Sequence, residues 1–459
     1  MKTDIPVIKL LVYKNNYYLY DFAKNHILQL TEELFKEIKI LQEIGIAAYI
    51  ETSGSKQSSD DVITLLNRGY FKCFTVEDIS HYCTPYLDVM LDRFLQDLIL
   101  QVTQDCNFQC RYCLFANDTK VERNHKKINM DYLTAKNSVD YLYSHCADAN
   151  EVVIGFYGGE PFLNFDLIKH ITEYARQKFC SKHIRFLTTT NASLLDDYII
   201  EFLIKNRFEI SISLDGDESY QNSHRKFKAN GKNTFDIVMQ NVIKIRDADP
   251  LYFRENVSFN PVIFNDENSE RVYLFYEGIN VHKDNININK ANLNGIDYFD
   301  TPSMLFSNQT VSITKDEMKL NSFVKKIEEE NIIPKRWHPN GQCAPGVRRL
   351  FVTIDGSIYP CEKIIENSAY CIGNINSPNK IDKSKAKKLL NSATITREEC
   401  MRCWAFRFCE MCISHCLNPS TNCLSKETKL LNCENQKKQI IQMMKLYIDM
   451  CKEMPMSEN

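Results

Sequence analysis

A chain of 459 residues, 44% of them apolar, is longer than one hydrophobic core usually organises, so two or three globular domains are expected. Lys and Arg number 56 against 59 Asp and Glu, a net charge of -3 with no long single-sign block, which argues against a nucleic-acid or membrane patch. The N-terminal MKTDIPVIKLLVYKNN lacks an apolar stretch followed by a small-residue cleavage site, and no long apolar run occurs elsewhere, so the protein is expected in the cytoplasm. In that reducing setting the 18 cysteines are not expected to pair as disulfides. Clustered ones are candidates for metal, and scattered ones such as Cys73, Cys146 and Cys180 for small buried hydrophobes.

In chain order, KLLVYKNNYYLYD reads as a hairpin turning at Asn15-Asn16, TEELFKEIKILQEIG as a helix ending at Gly45, and DDVITLLNRG as a second helix, with SGSKQSSDD (53–61) a polar loop between them. Residues 1–85 are therefore expected to form a small α+β module. From about 95 to 295 short β-branched runs alternate with amphipathic stretches. The strand candidates are LILQVT (98–103), EVVIGFY (151–157), IRFLTTT (184–190), EISISL (209–214) and NVSFNPVI (256–263), with VHKDNININ a weaker sixth. Segments such as DYLTAKNSVDYLYSH and FDLIKHITEYARQKF space apolar residues at helical intervals between them. Such alternation predicts an α/β fold, a partial (β/α)6 TIM-like barrel whose site gathers on loops after the strands' C-terminal ends. Residues 296–342 are read as a bridge, 343–440 as a Cys-rich domain holding ten cysteines from Cys343 to Cys433, and 441–459 as a C-terminal helix and tail.

Directly after the first predicted strand stands QDCNFQCRYCLFAN (104–117), placing Cys106, Cys110 and Cys113 in a CxxxCxxC spacing. Thiolates hold iron-sulfur clusters, normally four per cubane, and three leave one iron open to an outside ligand. A zinc knuckle would want a fourth Cys or His nearby, and His125, 12 residues after Cys113, leaves that alternative standing on this motif alone.

CxxxCxxC after the first strand, with Tyr112 before its last cysteine, resembles the signature of radical S-adenosylmethionine (SAM) enzymes. The resemblance implies that SAM chelates the open iron and is cleaved reductively to a 5'-deoxyadenosyl radical. Further motifs follow in order. Gly158, Gly159, Glu160 and Pro161 resemble the family's SAM-amino motif, with the glycines admitting close backbone approach and Glu160 fixing the loop. TTTNASLL (188–195) resembles the segment meeting the SAM ribose or carboxylate, nominating Thr189 and Asn191. SLDGDESYQNSHR (213–225) resembles a segment of sulfatase-maturase relatives, nominating Ser213 and Arg225, although His224 stands directly before the arginine. An arginine there would pair with the SAM carboxylate bidentately; the bland alternative is a surface arginine.

Cys343, GSIYPC ending at Cys361, then Cys400, Cys403, Cys409, Cys412, Cys416 and Cys433 resemble the SPASM extension of such enzymes. The resemblance implies two auxiliary 4Fe-4S clusters, hence three in all: Cys400, Cys403, Cys409 and Cys433 on the outer one, and Cys343, Cys361 and either Cys412 or Cys416 on the inner. The family's CxxxC from Cys409 lands on Ile413, so that choice stays open, and Cys371 and Cys423 are spare thiols. A structural zinc ribbon is the alternative. Glu362 stands where sulfatase-maturing relatives carry an aspartate thought to act as general base, and a carboxylate in a dry pocket can take a proton near neutrality. Its alternative is a surface glutamate or a salt-bridge partner of Lys363.

The front module resembles the winged-helix-like leader-recognition domain of peptide-modifying radical SAM enzymes, in which a leader adds a strand to a sheet edge. Sulfatase maturases lack it. The reading is a radical SAM/SPASM maturase of a ribosomally made, leader-bearing peptide, by intramolecular thioether crosslinking of a Cys sulfur to a carbon. A reductant such as flavodoxin or ferredoxin is implied, with neither nucleic acid nor membrane as partner. A formylglycine-forming maturase and a non-enzymatic, metal-stapled peptide-binding or electron-carrier protein are the alternatives.

Overall fold

The computed structural model describes residues 4–52, 57–73, 76–113, 125–265, 268–290, 315–329, 333–339, 343–364, 366–418, 420–421 and 423–453, with backbone alone at 57, 290 and 315–318. Two compact units divide the chain, one of 1–84, 313–343 and 390–459, the other of 85–312 and 344–389. The segment read as one Cys-rich domain is thus shared between them, and much of the expected bridge, 296–314, 330–332 and 340–342, lies outside the described residues.

In the second unit the strands Asp97–Thr103, Glu151–Gly158, His183–Thr190, Glu209–Ile212 and Val257–Phe259 lie side by side in sequence order, all parallel. The first is buried along its whole length, as a strand covered on both faces must be, which is why LILQVT is a nearly unbroken apolar run. Helices Tyr132–His145, Phe165–Lys178, Asp197–Lys205 and Phe235–Ala248 fall between strands, the first and third opened by Asp131 and Asp196, whose carboxylates accept the N–H of Thr134 and Ile199. Phe156, Phe186 and Phe208 stack with one another, Phe186 and Phe208 at 5.4 Å between ring centres.

The sheet differs from the expected barrel at its sixth position. Asn260-Pro261 divides the fifth predicted strand into Val257–Phe259 and Val262–Ile263, since proline has no N–H for the ladder. VHKDNININ supplies a short turn, Lys283–Asn285, then a single parallel bridge from Ile286 to Phe259 at the end of the fifth strand, and Asn289, which with Lys290 pairs with Val262–Ile263. The free edge of the first strand is taken by Arg349–Val352, parallel and in register Arg349 to Asp97, and Ser357–Tyr359 and Gly373–Asn374 extend it antiparallel to eight strands. Among the described residues this order does not close on itself. The architecture is α/β about a central parallel sheet, with five βα strands from the expected region and a sixth parallel strand from beyond it.

In the first unit, strands Ile8–Tyr13, Asn16–Asp21 and His26–Leu30 form an antiparallel sheet. The hairpin turns one residue earlier than expected, with Lys14 and Asn15 both at positive φ, as two-residue turns between twisted strands require. The third strand was not foreseen, and neither was the helix Ile46–Thr52. The helix Glu32–Ile44 matches the first expected one, whereas the second, Gln57–Asn67, starts inside the expected polar loop 53–61, whose residues 53–56 lie outside the described ones. The central strand is buried on both faces. Leu19 joins a core with Ile38, Leu41, Tyr49 and Phe71, while Tyr20 joins another with Phe22, Phe406, Phe408 and Met443 from the Cys-rich segment. That second core is aromatic: Tyr20 meets Phe408 at 5.4 Å, Phe323 stacks on Phe408 at 4.4 Å, and Trp337 meets Phe406 edge-on at 5.0 Å. The C-terminal helix, Lys426–Glu453, starts well before the expected 441 and carries Cys433. Among the described residues no helix is long and apolar enough to cross a membrane.

Candidate functional site

Four loops after the parallel strands carry the predicted residues of the second unit. Past Thr103, the first loop holds Cys106, buried and accepting the Phe108 N–H on its sulfur at 3.4 Å, and then the short strand Phe108–Cys110, which pairs antiparallel with Arg225–Phe227. Cys110 and Cys113 lie within electrostatic reach of Cys106, and burial, more than this repulsion, pushes the Cys110 thiol up to about 12. His125 Nε2 lies 3.7 Å from Cys113 Sγ.

Gly158 and Gly159 end the second strand against that loop. A Cβ on Gly158 would stand 2.2 Å from the Thr103 carbonyl oxygen, and one on Gly159 2.1 Å from that of Asp105. The N–H groups of Gly159 and Glu160 donate to these same carbonyls at 3.1 and 2.8 Å. The glycines are therefore required by approach to the cysteine loop itself. Glu160 is buried and ties two segments together: one carboxylate oxygen accepts from the Phe162 N–H and, at 2.7 Å, from the Thr190 hydroxyl, and the other accepts from the Asn191 N–H at 2.7 Å. Pro161 follows, buried, at the head of a short turn. The hydroxyl recruited is that of Thr190; Thr189, the expected one, faces the other side of the strand and is half-buried. Asn191 bridges on to Asn107 at 2.8 Å and to the Ser193 hydroxyl at 2.7 Å, and the Ser213 N–H donates to the Thr190 carbonyl at 2.8 Å.

Burial lifts the Glu160 carboxyl to about 7, against the hydrogen bonds that lower it. A carboxyl raised in the fold contributes stability that is fully present below its unfolded value, ordinarily 4.5, and is lost as pH rises through about 7, a change of roughly 3 kcal/mol. The melting temperature of the wild type is thus expected to fall across that window relative to Glu160→Gln, whose amide does not titrate. Parallel profiles from pH 4 to 8 would show that the carboxyl carries no such strain.

A residue not nominated for the site from the sequence organises the fourth loop. Asp215, fully buried, receives Arg225 bidentately, Nε to Oδ2 at 3.0 Å and Nη2 to Oδ1 at 3.1 Å. The Tyr112 hydroxyl donates to Asp215 Oδ2 at 2.8 Å and the Val262 N–H to Oδ1 at 3.0 Å, while the Arg225 guanidinium lies over the Tyr112 ring at 5.3 Å. Arg225 is buried and is no surface arginine, and the bidentate pairing expected with SAM is made with Asp215. Its remaining Nη1 lies 3.9 Å from Cys110 Sγ. The signal available in the sequence was the acid of SLDG at a strand's end, ten residues before an arginine.

In the first unit Cys400, Cys403 and Cys433 are all near enough to oppose ionisation of the Cys409 thiol, and burial above all raises Cys409, to about 12, and Cys403, to about 11. Cys416 is buried beside Cys433 and Cys400, whereas Cys412 and Cys343 are exposed. Cys361 lies in the second unit. Of the scattered thiols Cys146 is buried and Cys73 half-buried, but Cys180 is exposed and does not pack as a hydrophobe. A single zinc ion asks its ligands to converge on one point, whereas a cubane takes each thiolate on a separate iron. Among the described residues no group of three or more His, Cys, Asp or Glu side chains is placed to hold a metal ion.

Glu362 is buried and accepts from Arg349 Nη1 at 3.2 Å, and Arg349 also donates to Asp97 at 3.1 Å. Both carboxylates keep one buried oxygen without a hydrogen bond among the described residues. Neither expected alternative, a surface position or a pairing with Lys363, describes this ion pair. Asp97 opens the strand whose far end leads to Cys106, roughly 20 Å along the backbone, so Glu362 belongs to the end of the sheet away from the three-cysteine loop. Arg349 also feels Cys361.

Residues 100–277 match the family model of the radical SAM superfamily. Over 122 residues the chain is 39% identical to an uncharacterised protein of Methanocaldococcus jannaschii, covering 27% of this chain and 39% of that one. Over 341 residues it is 24% identical to a cysteine-type anaerobic sulfatase-maturating enzyme of Clostridium perfringens, covering 68% and 87%. A solved sulfatase-maturating structure with bound AdoMet and a peptide superposes with a TM-score of 0.52 at 17% identity, over 78% of this chain and 99% of that one, a likeness of fold. The chain thus spans well under half the length of the archaeal relative.

Proposed function

We propose that this chain, which carries a radical SAM domain and is a radical SAM enzyme, modifies a ribosomally made peptide that it recognises through a leader. The domain sets aside the non-enzymatic reading and calls for SAM and a 4Fe-4S cluster. The loop fits that cluster: three thiols stand on one segment, with the Phe108 N–H and an arginine N–H directed at two of their sulfurs, the donors a thiolate wants. Cys106, Cys110 and Cys113 would hold it, and with SAM bound it supplies a radical able to take hydrogen from an unactivated C–H bond. Glu160 holds the loops of residues 158–161 and 190–191 in place, and Asn191 ties the latter to the cysteine loop. Cys400, Cys403, Cys409 and Cys433 are proposed for an outer auxiliary cluster, and a second, inner one is proposed with Cys361 among its ligands.

The observation that carries leader recognition is the three-stranded sheet of the first unit, whose two outer strands each pair on one side only among the described residues. Such an edge accepts an extended peptide through main-chain hydrogen bonds. About a fifth of this chain has no counterpart in the sulfatase-maturating structure, room for a module that such enzymes lack. Thioether formation is proposed for the bond made. The relative from Clostridium perfringens, matched over 87% of its length, favours formylglycine formation as the second reading.

Affinity separates the two. Deleting the module would strip Tyr20 and Phe22 from the core they share with Phe406 and Phe408, so the edge itself is the place to test. Proline at exposed Gln29 or Val12, one on each outer strand, is expected to weaken binding of a leader-bearing peptide about tenfold at whichever edge receives it, measured by anisotropy. Equal affinity for both variants and the wild type, with and without the leader, would move the formylglycine reading ahead.

A further inference from the structure

The Arg225 guanidinium makes an unusual allocation of its donors. Nε and Nη2 are committed to Asp215, which is itself held by the Tyr112 hydroxyl and the Val262 N–H, and this leaves Nη1 directed at Cys110 Sγ. Each partner is fixed by a different element. Asp215 follows the strand Glu209–Ile212, Tyr112 stands between two cysteines of the first loop, and Arg225 opens the short strand paired residue for residue with Phe108–Cys110. The register Cys110 to Arg225 sets the guanidinium opposite that sulfur, and the Asp215 fork removes its freedom to turn away. The Asp215 and Arg225 side chains are 0% and 7% exposed, so their charges act on Cys110 with little screening by water.

We infer that Arg225, oriented by Asp215 and Tyr112, is a positioning residue that sets the reduction potential of the cluster held through Cys110. The inference rests on Cys106, Cys110 and Cys113 being the cluster ligands. An N–H directed at a ligand sulfur and a fixed positive charge both stabilise the more negative, reduced state of an iron-sulfur cluster, and so raise its potential. A radical SAM cluster must pass an electron to SAM from a strongly reducing state. A buried arginine that eases loading of that electron from the external reductant answers a need the three thiolates cannot meet alone.

The test is a redox titration of the full-length reconstituted protein without SAM, following the EPR signal that disappears in the Cys106→Ala, Cys110→Ala, Cys113→Ala variant. Arg225→Gln, which keeps a donor and loses the charge, is expected to shift that midpoint to more negative potential at unchanged iron content; Arg225→Lys should shift it less. Asp215→Asn removes the buried negative charge that opposes the arginine at Cys110 and should shift it the other way, to less negative potential. If Arg225→Gln fails to hold iron, Tyr112→Phe carries the test, since it removes one oxygen from the network and leaves every charge in place. Wild-type midpoints in Asp215→Asn and in every Arg225 variant that retains iron would overturn the inference, as would an unchanged midpoint in Tyr112→Phe where no Arg225 variant does. An arginine serving the SAM carboxylate alone would give that result together with weakened SAM binding. Loss of no signal in the triple cysteine variant would instead overturn the ligand assignment, a failure visible before any arginine is changed.

Discussion

Replacing Cys106, Cys110 and Cys113 together with alanine is expected to remove about four of roughly twelve irons per chain and to abolish formation of 5'-deoxyadenosine. The expectation rests on where the thiols stand. All three belong to one short loop of the radical SAM domain, within electrostatic reach of one another. The four cysteines proposed for the outer cluster belong to the other compact unit, where Cys400 and Cys403 pack in its aromatic core, so their irons should survive the change. Iron and acid-labile sulfide per chain, with deoxyadenosine measured by chromatography under strong reductant, read both halves. Zinc in place of iron in the wild type, or SAM cleavage that persists in the variant, would refute the assignment. Loss of all iron at once would show that the clusters do not assemble independently.

The parts of this site that were legible from the sequence are those written in neighbouring residues. CxxxCxxC, GGEP and TTTN are each local, and the β-branched runs before them are long enough to mark strands whose ends they occupy. What was missed depends on pairing across the chain. Thr190, and not Thr189, reaches Glu160 because alternate residues of a strand face opposite sides, and a one-residue error in register exchanges them. Asp215 and Arg225 stand ten residues apart with a helix between, so their fork is invisible to spacing rules. Arg349–Val352 joins the first strand from some 250 residues away, although RRLFVTIDGS does carry a hairpin signal, an Asp-Gly pair after an apolar run. The two-sided burial of the front sheet has the same origin: Tyr18, Leu19 and Tyr20 in succession read as a plain hairpin strand, and only the Cys-rich segment packed on its second face explains why all three are apolar.

If Glu362 takes the substrate proton, as its match to the maturases' base implies, Glu362→Gln leaves deoxyadenosine formation largely intact and lowers peptide product by about 100-fold or more, because the amide keeps the shape of the carboxylate but cannot take a proton at neutral pH. Its place beside Asp97, at the end of the sheet away from the three-cysteine loop, predicts instead that the two fall together. The structure sharpens this test by supplying its competitor. Glu362 and Asp97 together neutralise Arg349, and a buried cation left with one anion instead of two is destabilised whatever the chemistry requires. A purely electrostatic role would therefore lower the melting temperature and reduce SAM cleavage and product together. A proton-accepting role would uncouple them, since hydrogen abstraction precedes the step at which the base acts. Asp97→Asn supplies the control: it removes the other anion of the same pair, at the same arginine, from a residue given no part in proton transfer. Uncoupling in Glu362→Gln with coupled, milder losses in Asp97→Asn would assign the proton to Glu362. Equal behaviour of the two variants, or wild-type yields of both products in Glu362→Gln, would leave the glutamate as a counterion for Arg349 and would require the base to be sought elsewhere in the sheet's interior, where Gln101 holds the buried Glu366 at 2.7 Å.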